Sequence, residues 1–186
     1  MIAAAHVALL RGVNLGGKNR LPMKDLALMF MDAGCHNVST YIQSGNVIFS
    51  ALPTVAPQVT ALIAAEIHKY FEFKTQIVLR TTDELRDVVS NNPFIKAGIA
   101  EETLHVLFLA ELPNSSDIDD LNPDRSPPDK FIVRGREIYM NLPHGAARTK
   151  LTNSYFDSKL KTISTSRNWR TVKKLFELTQ GGAVTS

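Results

Sequence analysis

The chain has 186 residues, of which 44% are hydrophobic and 21% charged, and its formal net charge is +3. This mixture excludes a disordered chain, and the absence of an apolar run of about 18–20 residues excludes an integral membrane protein. The single cysteine, Cys35, excludes an internal disulfide and a cysteine-rich zinc site. Residues Met1–Leu10 lack the features of a secretory leader, so we expect a cytoplasmic location.

The first 80 residues predict the element order β-α-β-β-α-β, which is typical of a ferredoxin-like fold. The predicted elements are a strand at His6–Leu10, a helix at Met23–Ala33, strands at Val38–Gln43 and Asn46–Phe49, a helix from near Pro57, and a strand at Lys74–Arg80. Ser44-Gly45 fits a two-residue hairpin turn between the second and third strands. The second helix has one apolar face, formed by Val59, Leu62, Ile63, Ile67, Tyr70 and Phe71.

Residues 81–179 predict a second α+β subdomain, followed by a frayed tail at 180–186. Thr81 and Glu84 have the spacing of a helix capping box. The later predictions are a strand at Leu104–Leu109, a short acidic helix at Ser115–Leu121, a proline-rich loop at Asn122–Asp129, a hairpin of Phe131–Arg134 with Glu137–Leu142, and helices near Lys150–Ile163 and Arg167–Thr179. The expected fold class is therefore α+β, with two ferredoxin-like subdomains of βαββαβ type and antiparallel or mixed sheets. The element order repeats, whereas we see no repeat in the residues themselves.

Charge is distributed unevenly along the chain. Residues 1–24 contain four basic and no acidic residues, residues 25–129 contain six basic and fifteen acidic ones, and residues 130–186 contain eleven basic and three acidic ones. Such polarity suggests an anionic partner at a basic face, although chance clustering on a solvated surface explains it equally well.

The segment Arg11–Asn19 is both glycine-rich and basic. Gly12, Gly17 and Lys18 have the spacing of a phosphate-binding P-loop, but Asn19 stands where that motif needs Ser or Thr, and the next helix begins about a turn too late. A true P-loop is therefore not expected. The loop still has the composition to hold an anion through its backbone amides, or it is simply a turn that needs glycine conformations.

Gln43 and Asn46 flank the predicted turn and offer amide hydrogen bonds beside the basic loop, although a hairpin alone also accounts for them. Lys150, with Asn153 close by, falls at the start of a predicted helix. A cation in that position opposes the helix dipole unless an anion is bound nearby.

The next predicted helix shows the same anomaly. Arg167 and Arg170 fall in its first turn, next to Asn168, and Lys174 continues the same face at helical spacing. Capping groups together with arginines form an anion-binding arrangement, whereas the alternative is that these arginines are only solvated.

These four segments together resemble the domain-of-unknown-function 1697 family of conserved bacterial proteins. The motifs that carry the resemblance are Leu10-Arg11-Gly12-Val13-Asn14 through Gly16-Gly17-Lys18-Asn19, Thr40-Tyr41-Ile42-Gln43-Ser44-Gly45-Asn46-Val47, Lys150-Leu151-Thr152-Asn153, and Thr165-Ser166-Arg167-Asn168-Trp169-Arg170-Thr171-Val172. The resemblance implies a two-part α+β fold with ferredoxin-like halves. It implies no activity and supplies no catalytic residues.

We therefore expect a bacterial cytoplasmic protein that binds an anionic ligand, either nucleic acid or a phosphorylated small molecule, without a metal, a cofactor or a membrane. The candidate ligand-binding residues are Arg11, Asn14, Lys18, Gln43, Asn46, Lys150, Asn153, Arg167, Asn168 and Arg170. This hypothesis requires distant segments to converge in space. Two alternatives stay open, namely an enzyme acting on a phosphorylated small molecule and a structural or protein-interaction module. The sequence does not indicate an oligomeric state or any catalytic residue.

Overall fold

The computed structural model describes residues 4–181, which form two compact units. Unit 1 contains residues 4–86 and 174–181, and unit 2 contains residues 87–173. The domain boundaries predicted from the sequence stay predictions, and residues 182–186 of the predicted frayed tail lie outside the described residues. Among the helices of the described chain, none has the length and hydropathy needed to span a membrane.

Unit 1 contains a sheet of four antiparallel strands within the described residues, in the order β2-β3-β1-β4. Its elements are β1 (Ala4–Leu10), α1 (Met23–Asp32), β2 (His36–Tyr41), β3 (Asn46–Ala51), α2 (Ala56–Phe71) and β4 (Ile77–Thr81). Strand alternation places Ala8 and Leu10 of β1 on the face that packs against Phe30 of α1 and Ile63 of α2. The buried core of unit 1 therefore lies between one face of the sheet and its two helices.

One local prediction for unit 1 was wrong. Tyr41 pairs with Asn46, so the connection between β2 and β3 is the four-residue segment 42–45 rather than a two-residue turn. In α2 the buried stripe is narrower than the apolar face of the helix, because Leu62 and Tyr70 are 46% and 61% exposed. A helix that packs against one sheet buries a single stripe, and apolar residues at its margins remain in contact with solvent.

Unit 2 repeats this architecture, with its four described strands in the order β6-β7-β5-β8. The elements from residue 82 onward are α3 (Thr82–Ser90), α4 (Pro93–Lys96), a 3₁₀ turn (Glu101–Thr103), β5 (Leu104–Leu109), α5 (Ser115–Asp119), β6 (Lys130–Arg134), β7 (Glu137–Asn141), α6 (Asn153–Leu160), β8 (Ser164–Asn168) and α7 (Trp169–Gly181). The predicted fold class is thus confirmed: the protein is α+β, with two four-stranded antiparallel sheets in βαββαβ-like arrangements.

The predicted capping box at the start of α3 is confirmed. The backbone N–H of Thr81 donates to the Glu84 carboxylate at 2.8 Å, and the N–H of Glu84 donates to the Thr81 hydroxyl at 3.2 Å. These reciprocal bonds satisfy two amides that a helix start would otherwise leave without partners. Strand β4 therefore passes directly into α3.

The last two predicted helices begin later than the sequence suggested. Thr152 caps α6 by accepting a hydrogen bond from the N–H of Tyr155 at 3.2 Å, so the helix begins at Asn153. The segment Ser164–Asn168 is not part of a helix but forms β8, which pairs antiparallel with β5. Because β8 consists of hydroxyl-bearing and other polar residues without apolar alternation, its sequence does not predict a strand.

The two sheets share one pairing register, which makes their positions comparable residue by residue. Val7 pairs with both Arg80 and Ile48 in unit 1, as Val106 pairs with both Arg167 and Tyr139 in unit 2. The strand β8 thus corresponds to β4. Unit 2 can therefore serve as an internal reference for what the βαββαβ frame itself requires.

Candidate functional site

The glycine-rich segment of unit 1 is a small hairpin. The N–H of Lys18 donates to the carbonyl of Leu15 at 2.9 Å, and the N–H of Asn14 donates to the carbonyl of Asn19 at 3.0 Å. Gly16 and Gly17 occupy the tip with φ angles of 54° and 80°, and a Cβ atom on either would meet no other atom within 4 Å. A tight hairpin turn with two positive φ angles therefore explains both glycines, without any packing constraint.

Asn14 fixes this hairpin to the neighbouring β2–β3 connection. Its side-chain Nδ2 donates to the carbonyls of Leu21 and Gln43, both at 2.9 Å. Its Oδ1 accepts a hydrogen bond from the N–H of Leu21 at 2.8 Å. The Asn14 amide is therefore engaged in holding two chain segments together.

The β2–β3 connection packs tightly against the end of β1. The N–H of Leu10 donates to the carbonyl of Gly45 at 2.8 Å. Asn46 is fully buried, and its Nδ2 donates to the Tyr41 carbonyl at 3.1 Å and to the Ser44 hydroxyl at 2.9 Å. The buried side-chain amide of Asn46 therefore stabilises the β2–β3 connection by hydrogen bonds to residues at its start and within it.

Arg11 lies at the base of the hairpin and contacts the segment that leads into β4. Its Nη1 donates to Oε1 of Gln76 at 2.8 Å, and its carbonyl accepts from the Thr75 hydroxyl at 2.8 Å. The side chains of Lys18 and Arg20, and that of Gln43 in the β2–β3 connection, are exposed and make no hydrogen bond or ion pair with residues 4–181. These three side chains are available to an external partner.

A hollow of about 380 Å³ lies beside the hairpin, and Arg20, Gln43 and Pro22 contribute to its wall. Pro22 is also the N-cap residue of α1, and no side chain within residues 4–181 caps that helix. The N–H groups of an uncapped helix start carry partial positive charge. The hollow therefore combines one exposed cation, Arg20, with an exposed amide and the positive end of a helix.

Unit 2 shows that the βαββαβ frame does not require these loops. The connection from the first strand to the first helix has twelve residues in unit 1, at 11–22, and five in unit 2, at 110–114. The connection between the second and third strands has four residues in unit 1, at 42–45, and two in unit 2, at 135–136. Both longer connections of unit 1 meet at the same end of its sheet, where Asn14 joins them.

Residues 4–139 match the family described as "Protein of unknown function (DUF1697)". The chain belongs to this family. The chain is similar to a solved structure, "The structure of conserved bacterial protein SP0830 from Streptococcus pneumoniae". The two chains are 19% identical, with a TM-score of 0.74. The match covers 96% of this chain and 99% of the other. At that identity it shows the fold alone. Among curated proteins, none matches this DUF1697 chain.

The other five candidate residues of this DUF1697 chain lie in unit 2, where their contacts correct two predictions. Lys150 is exposed and lies before the N-cap residue of α6, so it is not in the first turn of that helix. The Asn153 side chain donates to the Ser164 hydroxyl at 2.9 Å. Whether these residues share a ligand with those of unit 1 stays a prediction.

Arg167 lies in β8 rather than in a helix, so the predicted helix face of Arg167, Arg170 and Lys174 was wrong. Its side chain is buried, and Nη1 donates to the Thr165 hydroxyl at 2.9 Å and to the Ser166 carbonyl at 2.8 Å. Burial lowers the pKa of the Arg167 guanidinium to about 10, so it remains charged at neutral pH.

Asn168 is a helix cap, and the N–H of Thr171 donates to its Oδ1 at 2.8 Å. Arg170 is exposed in the first turn of α7. Both Asn168 and Arg167 thus act within the frame of unit 2, whereas Arg170 presents its charge to solvent.

The sequence analysis missed Arg80, which occupies in β4 the position that Arg167 occupies in β8. Arg80 is only 1% exposed, and its Nη1 donates to the Leu79 carbonyl at 2.8 Å, as Arg167 does to the carbonyl of the residue before it. The only signal in the sequence was an arginine one position before a capping residue in both halves, at Thr81 and Asn168. Residues 4–181 contain no cluster of His, Cys, Asp and Glu suited to a metal ion.

Proposed function

We propose that this protein binds nucleic acid through its phosphate backbone, using the hairpin and the β2–β3 connection of unit 1. Lys18 and Arg20 supply the positive charge, and Gln43 supplies hydrogen bonds to phosphate or sugar oxygens. The observation that carries the proposal is that both extra loops of unit 1 meet at one hollow, where the exposed Arg20 lacks a partner in the described chain, while the exposed Lys18 lies on the adjoining hairpin.

The shape of the site supports an extended polyanion over an enclosed metabolite. The hollow is shallow and open, and on the two loops that form it Leu15 and Ile42 are 62% and 50% exposed. These side chains are aliphatic, so the surface offers charge to a backbone rather than aromatic rings to bases. We therefore expect binding that depends weakly on sequence and strongly on salt.

The rigidity of the hairpin also supports a binding role. Asn14 and the Gly45–Leu10 bond hold both loops in place before any ligand arrives. A preorganised surface loses less conformational entropy on binding than a mobile loop does. An enzymatic role is less well supported, because the described groups with shifted pKa values lie elsewhere than in this hollow.

The test is fluorescence anisotropy with a labelled single-stranded oligonucleotide of about 16 nucleotides, titrated at several salt concentrations. For the variant Lys18→Gln/Arg20→Gln we expect weaker binding, and a salt slope that falls by about 1.4, since each phosphate contact to a single strand contributes roughly 0.7. The variant Lys69→Gln/Lys159→Gln removes the same charge from exposed positions elsewhere and should behave like the wild type.

Equal weakening by both double variants would show that net charge, and not this hairpin, drives binding. Competition by inorganic phosphate or ATP without oligonucleotide binding would assign the hollow to a small phosphate. A chain that binds none of these probes would instead favour a structural or protein-interaction role for the hairpin.

A further inference from the structure

Unit 1 contains a second concave site, on the face of its sheet that is turned away from α1 and α2. Ala5, Ile48 and Ser50 lie on this face, since they alternate along β1 and β3 with the core residues. The end of α7 and the start of α3 complete the walls of a cavity of about 910 Å³. This volume is at the upper end of the range for small-molecule sites, about 300–1,000 Å³.

The corresponding face of unit 2 carries larger side chains. By the shared register, the positions of Ala5, Ser39, Ile48 and Ser50 carry Leu104, Ile132, Tyr139 and Asn141 in unit 2. Leu104 and Tyr139 are buried, and the Tyr139 hydroxyl lies 3.5 Å from the Val88 carbonyl. Unit 2 therefore carries larger side chains at these positions, and the cavity of unit 1 lies where the matching residues are smaller.

The rim of the cavity carries two cations whose ion pairs are local to their own helices. Arg86 pairs with Asp83, and Lys174 lies 3.0 Å from the Glu177 carboxylate. All four side chains are between 45% and 82% exposed. Exposed ion pairs of this type contribute little to stability, so a ligand anion can replace the carboxylate partners at small cost.

The floor and walls differ in chemistry from this rim. Ala5 and Ile48 present apolar atoms, while Ser39 and Ser50 present hydroxyls. The Ser50 hydroxyl accepts a long hydrogen bond of 3.4 Å from the side chain of Asn37. An apolar surface with a few polar groups and a basic rim is suited to a molecule with an apolar body and one acidic group.

We propose that this cavity binds a small organic anion, whose apolar body lies against Ala5 and Ile48 and whose acidic group is held by Arg86 and Lys174. The site is separate from the hairpin and does not depend on the nucleic-acid proposal. Its ligand class is an aromatic or aliphatic carboxylate, sulfonate or phosphate ester.

Two dyes test the two parts of this proposal, namely the apolar contact with the cavity and the binding of the acidic group. 8-Anilino-1-naphthalenesulfonate carries an aromatic body with a sulfonate, and N-phenyl-1-naphthylamine has a similar body without charge. We expect saturable binding of one sulfonated dye per chain, followed by fluorescence and by calorimetry. The variant Ala5→Leu/Ile48→Tyr installs the residues of unit 2 and should abolish binding of both dyes, while the far-ultraviolet circular dichroism spectrum stays unchanged.

The charge variant Arg86→Gln/Lys174→Gln leaves the cavity open. It tests the proposal even if the Ala5→Leu/Ile48→Tyr variant does not fold. It should weaken binding of the sulfonated dye by about tenfold or more and leave the uncharged dye unaffected. Lys69→Gln/Lys159→Gln is the control for net charge and should bind both dyes as the wild type does. Wild-type affinity for the dyes in a folded Ala5→Leu/Ile48→Tyr chain, or no binding to the wild type, would overturn the proposal. Equal effects of the two charge variants would also refute the role of Arg86 and Lys174.

Discussion

Gly45 joins the β2–β3 connection to the end of β1, and replacing it with alanine tests whether this contact holds the candidate site together. A Cβ atom at Gly45 would lie 2.7 Å from Cβ of Leu10 and 2.7 Å from Cγ2 of Val13, both of which are buried. Gly45 also has a φ of 72°, a conformation that costs an L-residue roughly 1–2 kcal/mol. Overpacking a close-packed core adds about 1–3 kcal/mol, so Gly45→Ala should destabilise the chain by about 2–5 kcal/mol.

Gly17→Ala provides the matched control. Gly17 has a similar φ of 80°, but a Cβ atom there would meet nothing within 4 Å. Only the conformational cost of about 1–2 kcal/mol should remain for Gly17→Ala. The assay is urea unfolding monitored by circular dichroism. The unfolding midpoints of the two variants are compared, provided that the dependence of the unfolding free energy on urea concentration is unchanged. If both variants lost the same stability, the steric argument for Gly45 would be refuted.

Two further predictions concern buried titratable groups. Burial raises the pKa of the Cys35 thiol to about 11, so at pH 8 only about one thiol in a thousand is ionised. Cys35 should therefore react with Ellman's reagent only after urea unfolds the chain, and rapid reaction of the folded protein would contradict this. Burial lowers the pKa of His105 below its ordinary value of 6.5, so the unfolded chain takes up this proton more readily than the folded one. Stability should fall as the pH falls through 6.5, and urea midpoints at pH 7 and pH 5 should differ less for His105→Leu than for the wild type.

Much of the fold could be predicted because local patterns determined it. The periodicity of α1 follows from burial against one face, and the short apolar run of β1 follows from burial on both faces; both were assigned within a few residues of their observed bounds. The capping box at Thr81 and Glu84 depends on a fixed spacing of three residues, and the structure confirms it. Such features need no knowledge of distant contacts.

The missed features depend on partners far away in the sequence. Strand β8 has a polar sequence, and it is a strand only because it pairs with β5, which lies more than 50 residues earlier in the chain. The role of Asn14 likewise requires the carbonyl of Gln43, which is 29 positions away. A pattern of nearby residues could suggest that Asn14 and Gln43 belong together, but it could not show that one of them supports the other.

The repeated frame separates residues that support the fold from residues that are free to act on a ligand. Arg80 and Arg167 are buried at equivalent positions and donate to equivalent carbonyls, so the frame itself uses them in both units. Lys18, Arg20 and Gln43 instead lie on connections that unit 2 makes with fewer residues. Substituting Arg80 or Arg167 should therefore lower stability, whereas substituting the loop residues should change binding at unchanged stability. The basic residues most worth testing for a ligand are consequently the exposed ones on the loops that only unit 1 possesses.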